Sequence, residues 1–106
     1  MSELYILDEK GRPKPEPDAA KWGQWFETAN RSVARDKIGD VVISTVFLGL
    51  NHAFVGGPPI LWETMVFGGP MDQEDDRCSG SREQAETMHN EMVERVRVLF
   101  FNHTTI

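Results

Sequence analysis

The sequence has one cysteine, no long apolar run and fewer basic than acidic residues. Cys78 has no second cysteine to pair with, which excludes an internal disulfide, and no Cys/His cluster has zinc-finger spacing. No run approaches the ~18–20 apolar residues that span a bilayer, and the first residues lack the basic and apolar regions of a signal peptide. These absences predict a protein of a reducing compartment, the cytoplasm, with no membrane segment.

The charge balance argues against nucleic-acid binding. Eleven basic residues against 17 acidic ones leave a net charge of −6, which repels phosphate backbones. The densest acidic run, residues 72–76, is short enough to be a solvated loop. Binding to a nucleic acid is therefore not expected.

The 106 residues are long enough for one core and too short for two, which predicts a single α+β domain over 1–106. Residues 4–7 are β-favouring and predict a first strand or hairpin. Prolines at alternate positions then predict an extended, Pro-rich connector over 8–17. Asp18 can cap a first helix over about 19–35, whose apolar residues fall on one stripe: Trp22, Trp25, Phe26, Ala29 and Val33.

Residues 41–50 are crowded with β-branched and aromatic residues and predict a central strand. Both of its faces are apolar, so each requires a cover, either from this chain or from a second one. The following loop is too short for a helical crossover, so the strand over 60–67 is expected to return antiparallel and complete a long hairpin. An acidic loop is expected over 70–80, and Arg77 and Cys78 could add an edge strand within it.

Ser81 and Gln84 have the spacing of a capping box, which predicts a second amphipathic helix over about 82–99. The tail over 100–106 is apolar and is expected to dock on the sheet or on a partner. The predicted fold is α+β: an antiparallel sheet of roughly three or four strands with a long central hairpin, packed by two amphipathic helices in the order β-α-β-β-(β)-α.

His52, Glu63 and His89 are the candidate site residues for chemistry. His52 lies in the predicted hairpin loop, Glu63 in an apolar strand and His89 on the inner stripe of the second helix. Two imidazoles and a carboxylate could bind a divalent metal or share acid–base work. Their spacing matches no metal motif, and the alternative is that they are ordinary hydrogen-bonded residues at the edge of the core. No catalytic residue, metal ligand or cofactor is therefore assigned.

Other residues carry weaker indications. The acidic neighbours of Cys78 would raise the pKa of its thiol and make it a poor nucleophile. The glycine-proline runs at 56–59 and 68–70 precede no helix and are typical of turns, not of phosphate loops. Phe54 and Trp62 are candidate anchors for binding another protein, although a position in the core is favoured for Trp62.

Two segments carry a resemblance to a known family. The run from Ser44 to His52 (STVFLGLNH) and the run from Gly57 to Gly69 (GPPILWETMVFGG) are similar to those of small uncharacterised proteins encoded by bacteriophages and prophages. The resemblance covers about residues 5–96, although members carry aspartate where this chain has Asn51. It implies expression in the cytoplasm of a bacterial host and implies no activity.

Three functions stay open from the sequence. The first is an accessory protein that binds a host or phage protein, for instance to inhibit a host factor or a defence system. The second is a small enzyme or ligand-binding protein that uses His52, Glu63 and His89. The third is a structural or assembly component that dimerises through the apolar hairpin. The absence of a catalytic signature favours the first.

Overall fold

The computed structural model describes residues 3–53 and 56–104. It is an α+β fold, as the sequence predicts, with two antiparallel sheets and two helices. The elements, in chain order, are β1 (Tyr5–Leu7), β2 (Pro13–Pro15), α1 (Ala19–Thr28), β3 (Ser32–Ile38), β4 (Val41–Phe47), β5 (Trp62–Phe67), β6 (Asp75–Cys78) and α2 (Arg82–Thr104).

The four-stranded sheet has the order β3-β4-β5-β6, so each strand pairs with its neighbours in the chain. The predicted hairpin is confirmed: β4 and β5 pair antiparallel from Val42 opposite Phe67 to Phe47 opposite Trp62. The predicted edge strand is also present, as β6. It occupies part of the segment predicted as an acidic loop over 70–80.

The first helix is shorter than predicted. It begins after Asp18, whose carboxylate accepts the backbone amides of Ala20 and Lys21, but it ends at Thr28. The backbone is extended at Ala29, and the chain then enters β3 in place of the predicted last helical turns. The reason is the pairing of these residues with β4. Gly39, at a φ of +57°, begins a two-residue turn, and this turn brings residues 32–38 alongside β4 as a strand.

The hairpin predicted as one possibility at residues 4–7 is present, but its second strand lies inside the segment predicted as a Pro-rich connector over 8–17. Residues Pro13–Pro15 pair antiparallel with β1, with Lys14 opposite Ile6. A proline is tolerated at the edge of a sheet because its missing N–H then deprives no neighbouring strand of a hydrogen bond. The turn between the two strands is closed by Asp8, whose carboxylate accepts the backbone amides of Lys10 and Arg12.

Helix α2 lies along one face of the four-stranded sheet and forms the core with it. The capping box at its start is confirmed: the Ser81 amide donates to Gln84 Oε1 and the Gln84 amide donates to Ser81 Oγ. The buried apolar side chains form two clusters, both of which include residues of α2. The first cluster is Val41, Ile43, Val66, Met71, Met92 and Val96. The second cluster is Phe47, Leu61, Trp62, Ala85 and Met88, with Trp25 of α1 packed against it.

Helix α2 continues through Thr104, beyond the predicted end at 99. Phe100, the first residue of the predicted apolar tail, packs over the turn between β3 and β4, where a Cβ built on Gly39 would lie 2.7 Å from the Phe100 ring. The last residues of that tail, 105–106, lie outside the described residues. Across the described part of the chain, neither helix has the length and apolar character needed to cross a membrane.

Candidate functional site

The three residues predicted as a possible constellation do not form one site. Side chains alternate along β5, so Trp62, Thr64 and Val66 are buried beneath α2 while Glu63 points to the other face of the sheet. His89 is on the inner side of α2, against Thr45. The sheet therefore separates Glu63 from His89, and the hypothesis of a shared site is wrong for this pair.

His52 has a local role in the loop after β4. Its backbone amide donates to the carbonyl of Ile60, and the neighbouring Asn51 Oδ1 accepts the amides of Ala53 and Ile60. An aspartate oxygen could accept the same two bonds. Among the described residues, no group of three or more His, Cys, Asp or Glu side chains could hold a metal ion.

His89 belongs to a series of hydrogen-bonded side chains that was not predicted from the sequence. Its Nε2 lies 2.7 Å from Asp36 Oδ2 and its Nδ1 lies 2.7 Å from Thr45 Oγ1. Thr45 Oγ1 is in turn hydrogen-bonded to Thr64 Oγ1. The sequence signal was a threonine at an inward position of each apolar strand, Thr45 in β4 and Thr64 in β5.

This series of hydrogen-bonded side chains has the order of groups found in hydrolytic triads, which is carboxylate, imidazole and hydroxyl. Unlike the groups of such a triad, its hydroxyl is not accessible to a substrate. Thr45 and Thr64 are fully buried and His89 is 1% exposed, whereas Asp36, at the outer end, has a side chain that is 55% exposed. A substrate could reach the hydroxyl of Thr45 only if α2 left the sheet. The arrangement satisfies the polar groups of a buried histidine and couples α2 to three strands.

None of the remaining candidates from the sequence adds a residue to a functional site among the described residues. Trp62 is fully buried and its indole Nε1 donates to the carbonyl of Gly80, so the favoured position in the core is confirmed and the alternative role as an anchor for a partner is wrong. Phe54 lies outside the described residues. Burial raises the pKa of the Cys78 thiol, which is the predicted direction, but desolvation is the cause where acidic neighbours were expected.

The second face of the four-stranded sheet, which we call the open face, is the strongest candidate site. Its side chains are Arg35 and Lys37 of β3, Val42, Ser44 and Val46 of β4, Glu63, Met65 and Phe67 of β5, and Asp75 and Arg77 of β6. None of them is buried, and Phe67 is 44% exposed. Within the described ranges, α2 packs along the opposite face of this sheet, and Trp25 of α1 contacts Phe47 on that same opposite side. The cover predicted for this second face of β4 is therefore not supplied by either described helix.

Charge is distributed unevenly across the open face. Arg35 and Lys37 lie on one edge strand, β3, and have no ion-pair partner among the residues that the structure describes. On the side of β5 and β6, Arg77 Nε lies 2.8 Å from Glu63 Oε2 and 3.2 Å from Asp75 Oδ2. The hydrogen bond to Glu63 raises the pKa of the Arg77 guanidinium, so this group is fully charged. The apolar residues of the open face thus lie between a basic side, on β3, and a side with a net negative charge, on β5 and β6.

A second apolar surface lies beside the C-terminal half of α2. An open groove of about 560 Å³ is lined by Met71, Glu91, Glu94, Arg95, Val98 and Leu99. Val98 and Leu99 are 51% and 43% exposed. Nothing in the groove selects one kind of occupant, whereas the charges on the open face do.

Comparison with known proteins does not assign this site. The chain matches no protein-family model, no curated protein and no solved structure.

Proposed function

We propose that this protein works by binding another protein through the open face. The observation that carries the proposal is the apolar strip along β4 and β5, formed by Val42, Val46, Met65 and Phe67, which no described helix covers. Apolar and aromatic side chains that lose contact with water supply most of the free energy of protein association. The imidazole of His89 and the hydroxyl of Thr45, which a hydrolytic triad would need to expose, are by contrast buried between α2 and the sheet.

The distribution of charge defines the chemistry of the partner. A complementary surface needs an apolar centre, acidic groups that face Arg35 and Lys37, and a basic group that faces Asp75. Such a surface belongs to a folded protein, because a nucleic acid would bring phosphates against Asp75 and Glu63. The partner that we propose is thus a protein with a flat, apolar patch of this polarity.

The resemblance to bacteriophage proteins supplies the cellular context of the proposal. In that context the chain is an accessory protein, and its partner is a host or phage protein, such as a component of a bacterial defence system. The low pI of about 4.9 suits such a role, because a strongly acidic protein avoids nonspecific binding to nucleic acids in the same cytoplasm.

The alternative functions are supported unequally. An enzyme that uses His52, Glu63 and His89 would need these groups at one site, and Glu63 faces away from His89. A dimeric assembly component uses the same open face as the first proposal and differs from it only in the partner.

Affinity capture from phage-producing bacteria tests the proposal when two matched variants are included. Phe67→Asp introduces a charge among the apolar residues of the open face, and Val98→Asp introduces the same charge at a similarly exposed apolar position on α2. We expect a protein recovered in fixed ratio with the wild type and with Val98→Asp, absent with Phe67→Asp, and able to reassemble from purified components. Equal recovery with both variants, or no partner and no self-association, would overturn the proposal.

A further inference from the structure

We infer that the open face, when no other protein occupies it, pairs weakly with a second copy of this chain. The two copies are related by a two-fold axis that lies between the two sheets and runs parallel to the strands, midway between β4 and β5. This inference rests on the proposed function of the open face. It follows from the register of the sheet, which makes the face complementary to itself.

One row of side chains crosses the whole sheet. Arg35 is opposite Ser44, Ser44 is opposite Met65, and Met65 is opposite Asp75. The four residues therefore lie at one level along the strands, with a cation at one end of the row and an anion at the other. The next row toward the turn between β3 and β4 is Lys37, Val42 and Phe67.

A two-fold axis parallel to the strands keeps each level and reverses the order of the strands. It places β3 of one copy over β6 of the other, so Arg35 faces Asp75 twice in the dimer. It also places β4 over β5, so the exposed ring of Phe67 faces Val42. A two-fold axis perpendicular to the strands would instead place β3 over β3 and bring like charges together.

The distances suit this arrangement. Packed sheets lie ~10 Å apart, a gap that an arginine and an aspartate side chain reach across together. Aligned sheets cross at ~30°, which displaces the edge strands by ~4 Å along their length, within the range of the flexible arginine side chain. At the other end of the apolar strip, Glu63 forms an ion pair with Arg77 of the edge strand β6. The rim of an interface is polar and accessible to water, so an ion pair is tolerated there.

The size of the face predicts a weak dimer. Four strands ~4.8 Å apart, with about six residues each at ~3.3 Å per residue, cover a face of only ~400 Å². This is about half of the ~800 Å² per partner that a standard specific interface buries, and it falls in the range of weak, transient contacts. We therefore expect monomers at ~1 μM and dimers at ~1 mM, which corresponds to a dissociation constant between those concentrations.

Charge reversal tests the axis by sedimentation velocity. Arg35→Glu alone and Asp75→Lys alone each turn both edge contacts of the dimer into like-charge contacts, so each variant should associate at least ~10-fold more weakly than the wild type. An equimolar mixture of the two variants has two attractive contacts in the mixed dimer, and we expect association to return. The mixture also controls for folding, because a variant that failed to fold could not restore association to the other.

The outcomes separate this inference from the proposed function. A wild type that is strictly monomeric at ~1 mM, or variants whose mixture associates no better than each alone, overturns the two-fold dimer. If Phe67→Asp still removes a captured protein in that case, the open face binds a different partner and the proposed function stands. If Val98→Asp disrupts the dimer and Phe67→Asp does not, the interface lies on α2 and the inference is wrong.

Discussion

At the scale of single residues, the buried chain from Asp36 through His89 to Thr45 and Thr64 decides how α2 is held on the sheet. Each polar atom of His89 and the two threonines has a partner, and no buried side-chain nitrogen or oxygen of the described residues lacks one. A buried polar group that loses its partner costs more than the bond itself contributes, because the group also stays cut off from water. Thr45 is the most sensitive position, because it contacts both His89 and Thr64.

We predict that Thr45→Val lowers the free energy of unfolding by ~1–3 kcal/mol, since Nδ1 of His89 loses its partner in a dry environment. Urea unfolding measures the change. The matched control is Thr87→Val on the exposed side of α2, where the hydroxyl donates to the carbonyl of Glu83 and a change within ~0.5 kcal/mol is expected. Equal effects of the two substitutions would contradict the role of the buried chain.

Asp8 makes a pH-dependent contribution to the stability of the fold. The backbone amide of Arg12, together with that of Lys10, lowers the pKa of the Asp8 carboxyl. A carboxyl whose folded pKa lies below its unfolded pKa stabilises the fold above the unfolded value, and the contribution is lost as the pH falls through the folded value.

We therefore expect Asp8→Asn to lower the melting temperature at pH 7 and to have a progressively smaller effect as the pH falls below ~4, the usual pKa of aspartate. Thermal unfolding of both proteins across this range measures the difference. A difference that stays constant with pH would show that the charge of Asp8 has no part in closing the turn between β1 and β2.

At the scale of elements, the boundary between α1 and β3 shows where sequence patterns fail. The apolar residues from Trp22 to Val33 keep a helical spacing, and the prediction of one helix followed from it. Val33 does pack against the core, but from a strand whose partner, β4, lies beyond the Gly39 turn. Local spacing contains no information about that pairing, so the sequence could not distinguish the two.

The start of α2 provides a test of the helix cap at Gly80, and another glycine of the chain serves as the matched control. Gly80 has a φ of +102°, and a Cβ there would clash with Oε1 of Gln84, the side chain that caps the helix. We expect Gly80→Ala to lower the free energy of unfolding by ~1–3 kcal/mol, from backbone strain and loss of the cap.

Gly23 is the control, because it lies inside α1 and a Cβ there meets nothing within 4 Å. Gly23→Ala should raise the free energy of unfolding by ~0.5–1 kcal/mol, as alanine favours the helix. Chemical unfolding of both variants provides the comparison. If both substitutions shift stability in the same direction, the capping geometry at Gly80 is not what holds the start of α2.

At the scale of the whole molecule, α2 joins the two core clusters, since Met92 and Val96 belong to the first and Ala85 and Met88 to the second. We predict that the chain unfolds as one cooperative unit. Trp25 and Trp62 report on the second cluster by fluorescence, whereas far-UV circular dichroism reports on all elements. The two urea curves should coincide, and separate midpoints would contradict a single domain.

The candidate site was predictable only in part. The apolar residues on both sides of β4 indicated that a second face needs a cover, and this follows from the alternation of side chains along one strand. The charges on that face were not predictable, because Arg35 lay in a segment predicted as helix and its row with Asp75 depends on three strand pairings. The partners of His89 were missed for the same reason, since Asp36 and Thr45 are distant from it in the chain.

The sequence by itself determined the α+β class, the hairpin of β4 and β5, the caps of both helices and the absence of a disulfide. These depend on residue type and short-range spacing, which act within a few residues of chain. Only the tertiary structure decided that Glu63 and His89 lie on opposite faces, that Trp62 is core, and that one face of the sheet has a basic and an acidic side. Those properties arise from the register between strands, which the pairing of distant segments sets.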